Sequence, residues 1–385
     1  MEINHNRKLI YIVGFLLSIP IALSSYINST FLEGYVGKYN VGILYVISSI
    51  ITILGLLKMP KILTRFGNRI TTLISGSFLL LSFVMLAYGK SVLVLVPGFV
   101  MYFVFINLIF LSLDIFVEDF SKDNNVGSLR GLYLVVVNFA WVIGEFLSGP
   151  IMKNGSFPDI YTFGVGFVAV TLVLFILFLR DFKDPLYVKE PIRKTISLFW
   201  KDKNLSGIYL INLILKFFYA WMVIYTPMYL NEYLGIGWDK IGIIFSIMLI
   251  PFIIVEFPLG MLSDRIGEKK MLLLGFLIAA FSTLIMPFIQ TPGIYIWASV
   301  LFVTRIGAAM IEVMSESYFF KAVNEESADK IDFFRNTTPL SYIIAPLVAM
   351  PILFFSPSFE YLFVVLSAIL LLGFLITLRI KDIKN

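Results

Sequence analysis

The chain has 385 residues, of which 59% are hydrophobic and only 14% are charged, and its mean hydropathy is +0.92. Soluble domains carry roughly 25% charged residues, so this composition excludes an ordinary soluble protein and indicates a chain solvated by lipid. The chain has no cysteine, which excludes disulfides and thiolate chemistry, and its one histidine is His5. The net charge of +5 lies in loops between apolar segments, which disfavours nucleic-acid binding.

Twelve apolar runs are long enough to cross a bilayer, which takes roughly 20 residues in a helix. Only helices and closed barrels satisfy their backbone polar groups in lipid, and these runs are too long for barrel strands. We therefore predict an all-α membrane protein with 12 transmembrane helices. In the first half they are Leu9–Ile27, Val41–Leu57, Ile70–Gly89, Val92–Leu113, Leu132–Met152 and Ile160–Leu179; in the second they are Leu205–Leu230, Ile241–Leu262, Met271–Ile289, Ile294–Val313, Phe333–Phe355 and Tyr361–Leu378.

The longest polar stretch, Arg180–Asn204, separates the sixth run from the seventh and holds seven basic and four acidic residues. We interpret it as a cytoplasmic linker without a function of its own, in which Ile196–Trp200 is compatible with an interfacial helix. The predicted domains are therefore a six-helix bundle over 1–179, a linker over 180–204 and a second six-helix bundle over 205–385.

Lysine and arginine are divided unequally between alternate loops. With the amino terminus inside, 24 of the 30 Lys and Arg fall in inner loops, and four fall in outer loops: Lys38, Lys90, Lys153 and Lys240. The cytoplasmic loops of membrane proteins carry an excess of basic residues. We therefore predict a multi-pass protein of the plasma (inner) membrane with both termini in the cytoplasm.

Two features recur half a chain apart. The charged loop Gly260–Lys270 has a weaker copy at Pro60–Arg69, in which Arg65 aligns with Arg265 and Thr64 with Asp264. In the fourth run, polar residues with spacings of seven and four match those of the tenth run at a constant offset of 198: Asn107, Asp114 and Glu118 match Arg305, Glu312 and Glu316. These spacings keep each set on one helix face, and such repeats imply a duplicated six-helix unit.

The loop Gly260–Lys270 resembles the signature loop of the major facilitator superfamily, G-x-x-x-D-R-x-G-R-K/R, with Glu268 in place of a basic residue. The first-half copy departs more, because Pro60 replaces the glycine and Thr64 the aspartate. Arg130-Gly131 also resembles the family pattern, whereas the glycine spacing before Gly149-Pro150 differs from that of family antiporters. The resemblance covers the whole chain and implies two pseudo-symmetric six-helix bundles, the fold of this superfamily.

The resemblance also implies latches on the inner side. One would join Asp264, Arg265 and Glu316, and its mate would join Arg65 and Glu118, weakened because Thr64 carries no charge. The alternative for Glu118 and Glu316 is that they only cap and pair with the nearby loops. If the latches operate, Asp264→Asn shifts the protein towards an inward-open state.

In this superfamily the first, fourth, seventh and tenth helices line a central cavity, so the resemblance places candidate solute-binding residues there. Arg305 and Lys216 lie near the middle of their runs, where a charged side chain costs about 2.5–3.5 kcal/mol unless it faces protein or water. They either hold an anionic or polar solute or form an internal pair, Arg305 with Glu312 or Lys216 with Glu256. The other cavity candidates are Asn28, Asn107, Tyr219 and Trp221.

Three carboxylates are candidates for proton coupling: Glu256, which we prefer, Glu145 and Glu312. A carboxyl group in a low dielectric can take up a proton near neutral pH, as coupling requires. A purely structural hydrogen bond or ion pair is the alternative for each.

We therefore predict a secondary active transporter that moves a small organic solute by rocker-switch alternating access, coupled to protons, with efflux preferred. The alternative is an uptake symporter or facilitator for a polar or anionic solute; the alternative of another class is a non-transporting receptor or scaffold with the same fold. Without a Walker loop or a catalytic set, we expect no ATP-driven pump, no enzyme and no cofactor. The expected partners are the solute and the lipid bilayer, and we expect a monomer.

Overall fold

The computed structural model describes residues 2–119, 126–179, 184, 192–255, 258–259, 266–322, 333–355 and 358–382, and in these ranges the chain is helical apart from short connections. In chain order the α-helices are α1 Glu2–Ser25, α2 Asn28–Val36, α3 Lys38–Tyr88, α4 Val92–Asp119, α5 Val126–Asn154, α6 Phe157–Phe178, α7 Ile192–Lys201, α8 Lys203–Met228, α9 Trp238–Ile254, α10 Glu268–Ile285, α11 Ile294–Ala322, α12 Thr337–Phe355 and α13 Glu360–Arg379. A π-helical turn, Tyr229–Tyr233, follows α8, and a 3₁₀ turn, Met286–Phe288, follows α10.

Within the described ranges, ten helices are long and apolar enough to cross a membrane. The difference from the twelve predicted spans has two sources. The 51-residue α3 contains the predicted second and third spans, joined at Gly67, whose φ of 74° and ψ of 163° are not helical. The predicted eighth span is described for only 17 residues, as α9. The all-helical membrane fold is confirmed, whereas the number twelve stays a prediction.

The first predicted span, Leu9–Ile27, is interrupted. Helix α1 ends at Ser25, a turn occupies Tyr26 and Ile27, and α2 begins at Asn28. The hydroxyl of Ser24 donates to the carbonyl of Pro20 at 2.8 Å, and that of Ser25 donates to the carbonyl of Ile21 at 2.6 Å. Such back-bonding to the preceding turn competes with the helix backbone and bends helices, which a hydropathy profile does not register.

The described chain forms two compact units. The first comprises Met1–Val188 and Trp238–Ser246, and the second comprises Lys189–Gly237 and Ile247–Asn385. In the first unit α1 packs against α4, α5 and α6, and α3 packs against α4 and α6. In the second unit α8 packs against α11, α12 and α13, and α10 packs against α11 and α13. The same pairings therefore occur in both halves, as a duplicated unit predicts.

The linker contains a helix, α7, that is anchored on the second unit. Phe199 is 1% exposed, and its ring centroid lies 4.8 Å from that of Phe333 and 5.8 Å from that of Tyr209. Ile196 and Trp200 are exposed, as an interfacial segment requires. The apolar contacts of Phe199 hold α7 within the second unit, directly before α8.

Candidate functional site

A charged network joins α8 and α11 in the second unit. The ammonium group of Lys216 lies 2.6 Å from Oε1 of Glu312, and the hydroxyl of Tyr219 donates to Oε2 of the same carboxylate at 2.8 Å. Lys216 and Tyr219 are three residues apart on α8 and therefore share a helix face. Both carboxylate oxygens of Glu312 thus have a donor, and the side chains of Lys216 and Glu312 are only 20% and 25% exposed.

Arg305 extends this network into an aromatic environment. Its side chain is 1% exposed, and its guanidinium carbon lies 5.1 Å from the ring centroid of Phe218 and 5.4 Å from that of Tyr219. The ammonium group of Lys216 lies 5.3 Å from the same Tyr219 ring. Cations within about 6 Å of an aromatic face are attracted by its quadrupole, more strongly when they are desolvated. Tyr219 therefore contacts both cations with its ring and the carboxylate with its hydroxyl.

These contacts bear on the two pairings predicted for the cations. The described polar contacts of the Glu312 carboxylate are with Lys216 and Tyr219, a combination that the spacing of residues along one helix could not reveal. The predicted pair of Lys216 with Glu256 involves a residue outside the described ranges.

Trp221, a further cavity candidate, is fully buried in the second unit. Its ring centroid lies 5.1 Å from that of Phe217 and 5.5 Å from that of Tyr225. Its indole N–H has no hydrogen-bond partner in the described part of the chain. The residue packs into an aromatic core beside the network, and it makes no described polar contact with the network.

In the first unit, buried polar groups collect at the break between α1 and α2. The amide oxygen of Asn28, a predicted cavity residue, accepts a hydrogen bond of 2.8 Å from the hydroxyl of Tyr161 on α6. The hydroxyls of Ser24 and Tyr102 are 2.6 Å apart, and Tyr102 is also in reach of Asn28. Asn107 lies apart from this group and donates its amide to the carbonyl of Phe103 within α4.

The predicted inner latches are only partly covered by the described residues. Asp264 and Arg265 lie outside them, as does the side chain of Glu118. Arg65 is exposed, with its guanidinium carbon 5.2 Å from the ring of its neighbour Phe66, and Glu316 is half-buried on α11. The latches therefore stay predictions. Among the described residues of the second loop, Glu268 forms an ion pair with Lys321 at 2.6 Å.

Sequence reasoning missed a pair of carboxylate contacts that hold these loops to their own units. In the first unit, Oδ1 of Asp184 accepts from the backbone N–H of Asn68 at 2.6 Å, and Nε of Arg69 donates to the carbonyl of Leu179 at 2.7 Å. We call this the first clamp (Asn68, Arg69, Leu179 and Asp184). It joins the start of the predicted third span to the end of α6.

The second clamp has the same design. Oδ1 of Asp382 accepts from the backbone N–H of Lys269 at 3.3 Å, and the ammonium group of Lys269 donates to the carbonyls of Leu378 and Ile380 at 2.9 and 2.7 Å. A signal for both clamps is present in the sequence, because Leu179-Arg180 precedes Asp184 much as Leu378-Arg379 precedes Asp382. An acceptor at a helix start and a cation at a helix end each match the local helix dipole.

A family model described as Major Facilitator Superfamily matches residues 10–240 and 223–384. No curated protein matches the chain in sequence. Solved structures similar to this chain include the nucleoside transporter NupG, with a TM-score of 0.79 and 12% identity over 97% of this chain and 99% of that one. They also include a POT family transporter in complex with a thioalcohol conjugated peptide (TM-score 0.77) and one in complex with 5-aminolevulinic acid (0.76), each 12% identical over 97% of this chain and 95% of that one. At this identity the likeness shows a shared fold.

Proposed function

Because the chain belongs to the Major Facilitator Superfamily, we propose that it is a secondary active transporter that moves a small organic solute by proton-coupled alternating access. The transporters that share its fold support the general class. The observation that carries the proposal for the solute is the network of Lys216, Tyr219 and Glu312 next to Arg305, inside two membrane-spanning helices.

The network supplies what a polar solute needs inside a membrane. Lys216 and Arg305 are cations in an environment of low dielectric, where a solute carboxylate or phosphate gains more from a charge contact than it does in water. The Glu312 carboxylate holds Lys216 in place until such a group replaces it. The faces of Phe218 and Tyr219 contact apolar parts of the solute. We therefore assign a solute class with an acidic group on a small organic body.

The neighbours suggest a first panel of compounds. The two POT family structures contain a peptide conjugate and 5-aminolevulinic acid, and the third neighbour is a nucleoside transporter. The panel therefore includes short peptides, amino acids, nucleosides and aromatic carboxylates. Efflux is the direction that we propose, and uptake is its rival.

Flux into proteoliposomes tests the proposal, with and without an imposed pH gradient of either sign. We expect at least one acidic compound to move, faster when protons run in the opposite direction, as export by antiport requires. Lys216→Met should lower that flux by at least about tenfold, because it removes a cation from the network and leaves the Glu312 carboxylate without its ammonium partner. The matched control is Lys90→Met, at an exposed loop position, which should transport normally.

Other outcomes separate the alternatives. Faster flux with protons running in the same direction would indicate a symporter, and flux that ignores the gradient would indicate a facilitator. Binding of a compound without any flux would instead favour a receptor or scaffold. If the folded protein moves and binds none of the panel, the solute class is wrong.

A further inference from the structure

Glu145 is a buried carboxyl group that the network in the second unit does not include. It lies on α5 within the membrane-spanning segment Leu132–Lys153, and it is 1% exposed. Its Oε1 has no hydrogen-bond partner among the residues that the structure describes. The hydroxyl of Ser148 donates only to the backbone carbonyl of Glu145, at 2.7 Å. The carboxyl group therefore lacks the contacts that a buried charge requires.

The surroundings of Glu145 are tightly packed and contain hydroxyl and amide groups. At the adjacent Gly144, an added Cβ would lie only 2.6 Å from Cβ of Ala22 and 2.8 Å from the carbonyl oxygen of Ile19, so α5 and α1 are in close contact. On α4, the hydroxyl of Tyr102 is within electrostatic range of Glu145 and bonds to Ser24 at the end of α1.

The polar groups beyond Tyr102 are also uncharged. They are Ser24, Ser25 and Asn28 at the break after α1 and Tyr161 on α6. No described lysine or arginine contributes to this cluster. From α9, Gly242 and Asp239 lie against this part of α5: an added Cβ at Gly242 would be 2.7 Å from the hydroxyl oxygen of Ser148, and one at Gly149 would be 2.8 Å from the carbonyl oxygen of Asp239. The hydroxyl groups of this cluster can pass or accept a proton, and none of its described members carries a positive charge that could neutralise an anion.

Glu312 and Glu145 differ in the partners of their carboxyl groups. The Glu312 carboxylate receives an ammonium group and a hydroxyl donor, which are the contacts that a buried carboxylate requires. An unpaired carboxylate in a low dielectric is strongly unfavourable, and such a group takes up a proton instead. Two carboxyl groups whose environments differ in this way have different roles, one electrostatic and one proton-carrying.

We propose that Glu145 holds the exchangeable proton of the transport cycle, in the first unit, while the solute site lies in the second. In the described conformation the group is a neutral acid. When a different conformation admits water to the Tyr102–Ser24 cluster, the O–H bond of Glu145 breaks, the proton passes to water and the carboxylate remains. Uptake of a proton from the other side restores the acid. The coupling rests on the proposed function, whereas the protonation itself is measurable without any solute.

Infrared spectroscopy of the purified full-length protein tests the protonation directly. At neutral pH we expect a carboxylic-acid C=O band that Glu145→Gln removes. The band should persist in Glu312→Gln and in the control Glu232→Gln, which changes an exposed glutamate. A wild-type spectrum without a buried carboxylic-acid band at neutral pH overturns the proposal, and this measurement depends on no variant. A band that is unchanged in folded Glu145→Gln overturns it as well.

Transport supplies the second test. Glutamine imitates the protonated acid, so Glu145→Gln should still exchange solute across a membrane within about twofold of wild type, yet its pH-driven transport should fall by at least about tenfold. If Glu145→Gln shows pH-driven transport at the wild-type level, the proposal is refuted. If the wild-type protein moves no solute, the proposed function fails, while the infrared result still decides the protonation of Glu145.

Discussion

At the scale of single residues, Tyr219 connects the groups of the proposed solute site. Its hydroxyl fixes one oxygen of Glu312, and its ring faces both Lys216 and Arg305. The sequence marked all four residues, with Lys216 and Arg305 as solute-binding cations or members of an internal pair, Tyr219 as a cavity residue and Glu312 as a proton-coupling candidate or a partner of Arg305. Which of them meet depends on how α8 and α11 are rotated against each other, and a pattern along one helix carries no such information.

The two functions of Tyr219 can be separated by substitution. Tyr219→Phe removes only the hydroxyl, and a hydrogen bond to a charged group contributes about 1.5–3 kcal/mol, so KM should rise roughly tenfold or more. Tyr219→Leu also removes the ring from the two cations and should have a larger effect. Solute flux measures both, with Tyr295→Phe, at a position 85% exposed, as the control. Equal KM values for Tyr219→Phe and wild type would contradict the role of the hydroxyl.

The pairing of Lys216 with Glu312 predicts a specific non-additivity. Each side chain is largely buried, so Lys216→Met or Glu312→Gln alone leaves a partner without its counterpart and should destabilise the protein by about 1–3 kcal/mol. In the double variant neither charge remains, and its loss should be smaller than the sum by about 1 kcal/mol or more. Thermal unfolding followed by the fluorescence of the five tryptophans gives all four values. Strict additivity would show that the contact contributes nothing.

At the scale of elements, the two clamps hold the repeated loops Pro60–Arg69 and Gly260–Lys270 to their own units. In each loop the contacts are made by residues that follow the glycine, Gly67 or Gly267. Asn68 directly follows Gly67, and Lys269 is the second residue of α10, which follows Gly267. An aspartate from beyond α6 or α13 accepts from the backbone N–H of each. Asn68 also donates its amide to the carbonyl of Ser112 on α4 at 2.9 Å.

Replacing the aspartate of a clamp should destabilise the protein more when the new residue is a poorer acceptor for a helix start. Asp184→Ala and Asp382→Ala should each cost about 1 kcal/mol of stability, because alanine cannot accept from a helix start. Asp184→Asn and Asp382→Asn should cost less, since asparagine caps nearly as well as aspartate. Unfolding temperatures of the four variants check this order. A ranking with alanine at least as stable as asparagine at both sites would contradict the capping role.

Gly67 and Gly267, the glycines that precede the two clamps in the chain, should not tolerate a side chain. Gly67 and Gly267 have φ values of 74° and 91° with ψ of 163° and 143°, a region that is nearly exclusive to glycine and costs other residues about 1–3 kcal/mol. An added Cβ at Gly67 would also collide with the carboxylate of Asp184. Gly67→Ala and Gly267→Ala should therefore lower the unfolding temperature. Gly34→Ala is the control, because Gly34 lies in α2 with open space around it; an equal effect there would remove the explanation.

At the scale of the whole molecule, the sequence predicts the class of fold well because lipid imposes one requirement on every span. A long apolar run must be a helix, and a loop that recurs 200 residues later reveals the duplication. The contacts that define the sites are less accessible to such reasoning. The sequence names both Glu145 and Glu312 as proton-coupling candidates after Glu256, and their surroundings separate them: Glu312 has two donors, and Glu145 has an oxygen without a described partner.

The predicted orientation can be tested with introduced cysteines, because the chain contains no native cysteine that would have to be removed first. Single cysteines at exposed lysines would mark each side: Lys61 and Lys270 for the cytoplasm, and Lys90 and Lys240 for the exterior. A maleimide that does not cross membranes should label intact cells at positions 90 and 240 only, and should label the other two after the cells are opened. This pattern follows from the excess of basic residues in inner loops. Because positions 61 and 270 lie in the two repeated loops, labelling them from opposite sides would refute both the orientation and the parallel duplication on which the proposed alternating access depends.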